Sequence, residues 1–235
     1  MDLLHLFDTK TVYTLGASRT VWIYKSELPI RNQDKDSLWA TAVLLGASAF
    51  YRMDAHTALE AWPLTTSSSD GDDDADLAWL AMSEGKKSVW KLADVQGRRD
   101  SVFHATAEET NTWPAVDWEL LPGEFQAAGL GASAVYRPAA AMVANLMRER
   151  CDRDSLLRFL SFLGCITPEF KRLLRAKDAR ALAILAMWYA KICEYEQWWI
   201  QRRARLEGQA TCIYLETYYS HDAALMRLIE YPKII

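Results

Sequence analysis

The run from Asp178 to Tyr219, DARALAILAMWYAKICEYEQWWIQRRARLEGQATCIYLETYY, most constrains what this chain can fold into. Its first half sets Leu182, Leu185, Trp188, Tyr189, Ile192 and Tyr195 at three- and four-residue steps, which places large side chains on one stripe of a helix. The pattern restarts at Trp198 and Trp199 and continues through Leu206, Ala210, Ile213 and Thr217, opposite a basic, solvent-facing run of Arg202, Arg203 and Arg205. Two helices that turn aromatic faces to one interior are the expected result.

The rest of the chain repeats this theme. Apolar helical patterns cover the first sixteen residues, Asp36 to Tyr51 with Asp36 or Ser37 as cap, a short piece from Thr57 to Trp62, and a stretch resuming at about Ala75. Pro138 stands at the first turn of a helix that continues to Arg150, and Asp152 or Asp154 caps SLLRFLSFL. Thr167 starts the helix of Pro168, Asp178 the opening stretch, and Ser220 with Asp222 a last helix that Pro232 ends. TVWIY, residues 20–24, is the one segment that fits a strand as well as a helix. The fold class read from this order is all-α: a single helical domain, residues 1–235, of antiparallel helix hairpins around an apolar pocket. Residues 63–74, PLTTSSSDGDDD, read as a flexible acidic loop.

Composition excludes several function classes. A net charge of −4 offers no dense basic footprint for displacing counterions, so no direct nucleic-acid partner is expected. No stretch reaches the roughly 18 apolar residues of a membrane span, and the amino end lacks the pattern of a secretory leader. Cys151, Cys165, Cys193 and Cys212 lie in apolar contexts without zinc spacing and read as buried thiols of a reducing compartment, cytoplasmic or nuclear.

Thr167 to Trp199, TPEFKRLLRAKDARALAILAMWYAKICEYEQWW, resembles the carboxy-terminal regulatory domain of fungal zinc-cluster transcription factors of the sterol-uptake-control type. WATAVLLGASAFYRM at Trp39–Met53 and LAWLAMSEGKKSVW at Leu77–Trp90 resemble further blocks of that family, in the same order. The resemblance implies an all-helical domain with a deep apolar pocket. In sterol-sensing members that pocket takes ergosterol, and its occupancy controls dimerisation and nuclear entry. It therefore implies a hydrophobic small molecule as ligand, and a homodimer or a related transcription factor as partner. The family's six-cysteine zinc cluster and basic linker are not in this sequence, a second reason to expect no direct DNA contact.

Candidate chemistry is sparse. Asp72, Asp73 and Asp76 spell D-D-x-x-D but fall in the acidic loop, where a solvated charge run outweighs a metal site, so no metal and no cofactor are expected. His104 with Glu108, and Glu194 and Glu196 beside Tyr195, are the acid–base candidates. They belong to the alternative reading, a free-standing secondary-metabolism cyclase or isomerase acting on a lipophilic natural-product intermediate. The ten tryptophans are the richer signal. Trp39, Trp79, Met142, Phe159, Met187, Trp188, Tyr189, Tyr195, Trp198 and Trp199 are the candidate lining of a lipophile pocket. A filled core uses the same residues in the same way.

Overall fold

A computed structural model describes residues 32–51, 53–65, 76–105, 107, 121–151, 155–195 and 197–234. The helix expected over the first sixteen residues, TVWIY, nearly all of the acidic loop, Asp152, Asp154, Glu108 and Glu196 lie outside them. All regular structure among the described residues is helical, and the fold class is all-α. None of these helices is long and apolar enough to cross a membrane. The chain groups into two compact units, one within Met1–Ala49 and Ala78–Trp113, the other within Phe50–Leu77 and Pro114–Ile235.

The first unit is built on α1, Asn32–Tyr51, whose last two residues belong to the second unit, and α2, Ala78–Ala93. Trp39 and Trp90 meet edge to face at 4.8 Å and pack with Phe103 on buried Ala93, Val95 and Ala107. Asp36 is not the cap of α1, because the helix begins at Asn32. Its carboxylate instead accepts from Arg98 at 3.0 Å, from Ser101 Oγ at 2.8 Å and from the Val102 N–H at 3.0 Å. Burial raises the Asp36 carboxyl, but these three donors together hold it below its ordinary value.

The second unit is wound around α7, Ala179–Cys193, in which every residue except Arg180 is buried. It follows α3 (Gly123–Ala127), α4 (Arg137–Leu146), α5 (Leu156–Leu160) and α6 (Pro168–Arg175), and precedes α8 (Trp198–Tyr219) and α9 (Ala223–Leu228). α7 packs most extensively on α8, and is further covered by α4, α6 and α9. The helix of Pro138 stops at Leu146, short of Arg150, and Pro232 opens a 3-10 turn rather than ending α9. Ser155 precedes α5 without capping it, because its hydroxyl is engaged by the Arg150 carbonyl at 2.8 Å and the Tyr195 hydroxyl at 2.6 Å.

The caps expected at Thr167, Asp178 and Asp222 are in place. The Thr167 hydroxyl accepts from the Phe170 N–H, and Asp222 accepts from the N–H groups of Ala224 and Leu225. Asp178 accepts from Arg180 and Ala181 N–H at 3.1 and 3.0 Å, and from the Tyr136 hydroxyl at 3.0 Å. We expect Asp178→Ala to cost about 1–2 kcal/mol in urea unfolding, since the first turn of the central helix loses its acceptor, while Asp178→Asn recovers most of it. Equal stability of the alanine variant and the parent would contradict this account of the helix start.

α8 turns a different face inward than its aromatic pattern announces. Ile200, Arg203, Ala204, Glu207, Gly208, Thr211, Cys212 and Leu215 are buried and, of the expected stripe, Ala210 with them, whereas Trp198 is 70% exposed. Small residues set this choice: a Cβ built on Gly208 would come within 3.2 Å of Tyr189 Cβ, so the two helices approach closely there. The basic run is split as a result. Arg203 is buried, its Nε donating to the Phe50 carbonyl at 2.6 Å and its Nη1 pairing with Glu207.

Candidate functional site

The expected lipophile lining divides between the two units. Trp39 and Trp79 belong to the first, where Trp79 is buried and Trp39 packs on Trp90. The other eight belong to the second, and most of them fill its interior. Trp188 stacks on Phe162 at 5.0 Å, meets Phe50 edge to face at 6.0 Å and donates its indole N–H to the Phe159 carbonyl at 2.9 Å. Phe159 contacts Tyr195 at 5.2 Å, and Met187 is buried. Met142 receives the Ser161 hydroxyl, and Trp199 is half-buried against Phe50 at 6.3 Å. The Tyr189 hydroxyl donates to Glu207, itself bound by Arg203, in a wholly interior polar cluster. Burial keeps Tyr189 far above its ordinary pKa, so it stays a neutral donor.

Two of the acid–base candidates fall within the described residues. His104 lies in the first unit and Glu194 in the second. Both oxygens of Glu194 receive Lys191 Nζ, at 3.0 and 2.9 Å, and one also accepts the Tyr231 hydroxyl at 2.5 Å. Partial burial alone would raise its carboxyl, but Tyr231, Lys191 and Cys151 hold it below the ordinary value. The Cys151 thiol, desolvated beside that carboxylate, is pushed up to about 12. No cluster of three or more metal-ligating side chains occurs among the described residues.

Size separates the two most informative hollows. In the first unit, an apolar groove between α1 and α2, bounded by Ala42, Leu45, Met82 and Val89, contains about 30 Å³, room for one water. Lys86 closes it, its amine packed over Gly46 and its pKa lowered by desolvation. In the second unit, an open cleft of about 660 Å³ runs along the outer face of α8. That lies within the roughly 300–1,000 Å³ span of small-molecule sites.

The cleft is built by helical spacing. Trp198, Gln201, Arg202, Arg205 and Leu206 recur at three- and four-residue steps and so share one face of α8. The end of α1 supplies Tyr51, whose ring meets Trp198 edge to face at 5.0 Å, and the segment after it supplies His56. Arg202 is anchored there, one terminal nitrogen donating to the Ala55 carbonyl at 3.1 Å and lying 3.5 Å from His56 Nδ1. Glu60 accepts the His56 backbone N–H at 2.9 Å, and that bond holds its carboxyl below the ordinary value. The arrangement joins an exposed aromatic wall to a cationic rim.

Sequence reasoning named Trp198 as lining but not Tyr51 or His56. Nothing local marks these two, because 147 residues separate the ends of the Arg202–Ala55 contact. The helical recurrence from Trp198 to Leu206 was the available signal. No family model, curated protein or solved structure matches the chain.

Proposed function

We propose that the chain is a non-catalytic regulatory module that binds a lipophilic small molecule, of the size of a sterol or terpenoid, in the cleft along α8. One observation carries the reading: Trp198 is 70% and Tyr51 38% exposed, in contact with each other, inside a hollow large enough for such a ligand. Burying a large apolar side chain is worth about 1.5–3 kcal/mol, so a molecule laid on this wall recovers free energy that the free protein forgoes. The likeness of Thr167–Trp199 to a sterol-responsive regulatory domain supports a role in which occupancy changes association with a second copy or a related transcription factor. The cyclase or isomerase reading has less behind it, because the Glu194 carboxylate is already engaged by Lys191 and Tyr231.

Titration of the full chain with a panel of sterols and terpenoids, followed by tryptophan fluorescence and calorimetry, tests the reading. We expect saturable binding, weakened about tenfold or more by Trp198→Ala, a loss of at least about 1.4 kcal/mol. The melting temperature of that variant stays near the parent's, since the side chain covers little of the interior. Binding undiminished in Trp198→Ala would place the ligand elsewhere, and absence of binding by the whole panel would overturn the proposal.

A further inference from the structure

The cleft is more specific than an apolar surface, because its aromatic wall ends in positive charge. Arg202 and Arg205 are successive on one helix face, each with a planar five-donor fork. Neither forms an ion pair with a carboxylate among the described residues, although the chain as a whole carries a net charge of −4. Arg202 spends one nitrogen on the Ala55 carbonyl, and Arg205 reaches the Cys193 thiol, which leaves most of both forks unused. Two acids of these same segments, one on α8 and one after Tyr51, are engaged by other groups. Glu207 is buried on the other side of α8 with Arg203 and Tyr189, and Glu60 is bound by the His56 N–H and does not line the cleft. Gln201 adds an amide to the same face.

We infer that the cleft takes a ring-bearing carboxylic acid, its flat apolar body laid on Trp198 and Tyr51 and its carboxylate held by Arg202 and Arg205. The inference rests on the ligand-binding reading of this cleft and adds the chemical class of the ligand. Charge complementarity selects an anion, and a guanidinium fork matches the two coplanar oxygens of a carboxylate through paired, charge-assisted hydrogen bonds. The exposed indole selects a flat or polycyclic body, because stacking and apolar contact there cost little ordering of the protein. A neutral ligand would leave both guanidinium groups of the cleft without a carboxylate partner.

Two fluorescent probes that differ in one group provide the test: 1-pyrenebutyrate, a carboxylate, and 1-pyrenebutanol, its neutral counterpart. With the full chain, we expect the acid to bind about tenfold tighter than the alcohol or better, an advantage that shrinks as salt is raised. Arg202→Gln/Arg205→Gln removes that advantage while leaving the alcohol's affinity close to the parent's. Arg205→Gln alone, which keeps the Arg202 anchor on Ala55, removes part of it and guards against a folding artefact. Equal affinity for acid and alcohol, both lost in Trp198→Ala, would overturn the carboxylate inference and leave the cleft reading standing. An acid preference that survives in the double variant would also overturn it. Failure of both probes to bind would remove the cleft reading and the inference together.

Discussion

Glu207→Ala lowers the unfolding free energy by about 3–5 kcal/mol, the expected cost of removing one partner from a buried ion pair. Glu207 and Arg203 lie one helical turn apart on α8, 2% and 6% exposed, and the same carboxylate accepts the hydroxyl of wholly buried Tyr189. Truncating Glu207 therefore takes a carboxylate from a buried guanidinium and an acceptor from a buried phenol. Arg203→Met costs a comparable amount, because it leaves the carboxylate behind. Arg203→Met/Glu207→Met loses much less than the sum of the two single variants, since the charges leave together and apolar side chains of similar volume replace them. Urea unfolding of the four proteins measures this coupling, and additive losses would show that the pair does not act as a unit.

The same cluster sets a pH dependence. Burial pushes the Glu207 carboxyl above its ordinary value of 4.5, against the downward pull of Arg203 and Tyr189. A group raised in the folded state contributes stability fully below its unfolded pKa and loses it as pH rises through the folded value. The parent therefore loses stability relative to Glu207→Gln as pH rises above about 4.5. A constant difference between the two proteins across that window would contradict the raised carboxyl.

Trp188→Ala is the second large loss, about 3–5 kcal/mol from transfer and cavity terms. The ring is wholly buried, stacked on Phe162 and set edge to face against Phe50, so no neighbour can close the space without leaving its own packing. Its indole N–H also satisfies the buried Phe159 carbonyl, and an unsatisfied group of that kind adds about 1–3 kcal/mol. Trp188→Phe separates the two contributions: it keeps most of the apolar contact but not the donor, and falls between the parent and the alanine variant. Loss of under about 1 kcal/mol in Trp188→Ala would mean that this aromatic cluster is not close-packed.

Trp188 and Trp198 show how far the sequence could be read. Both sit on apolar helical spacing, ten residues apart, and periodicity treats them alike. In the structure one is the centre of the second unit and the other its most exposed tryptophan among the described residues. Arg203 and Glu207 show the converse. At i and i+4 they look like a surface ion pair, yet they form the polar core. The cleft was legible only in part: Trp198 was expected as lining, but Arg202 and Arg205, expected opposite the stripe of Trp198 and Leu206, share its face, and Tyr51 and His56 reach it from a distant part of the chain.

What the sequence determined by itself is what short-range physics controls. The all-helical character, the break between Cys193 and Trp198, and the starts at Thr167, Asp178 and Asp222 all follow from bonds within about four residues. The burial of α7 is largely local too, because Arg180 and Lys191 are the only charged residues between Ala179 and Cys193 and leave it no wide polar face. α8 is different, for it offers two plausible inner faces, one aromatic and one of small residues with a paired Arg and Glu. Only the tertiary structure decided between them, through the close approach at Gly208, the Tyr189 hydroxyl and the Phe50 carbonyl. That decision buried a charge pair and left Trp198 in the open cleft, because the partners that offset the desolvation of Arg203 and Glu207 come from other helices.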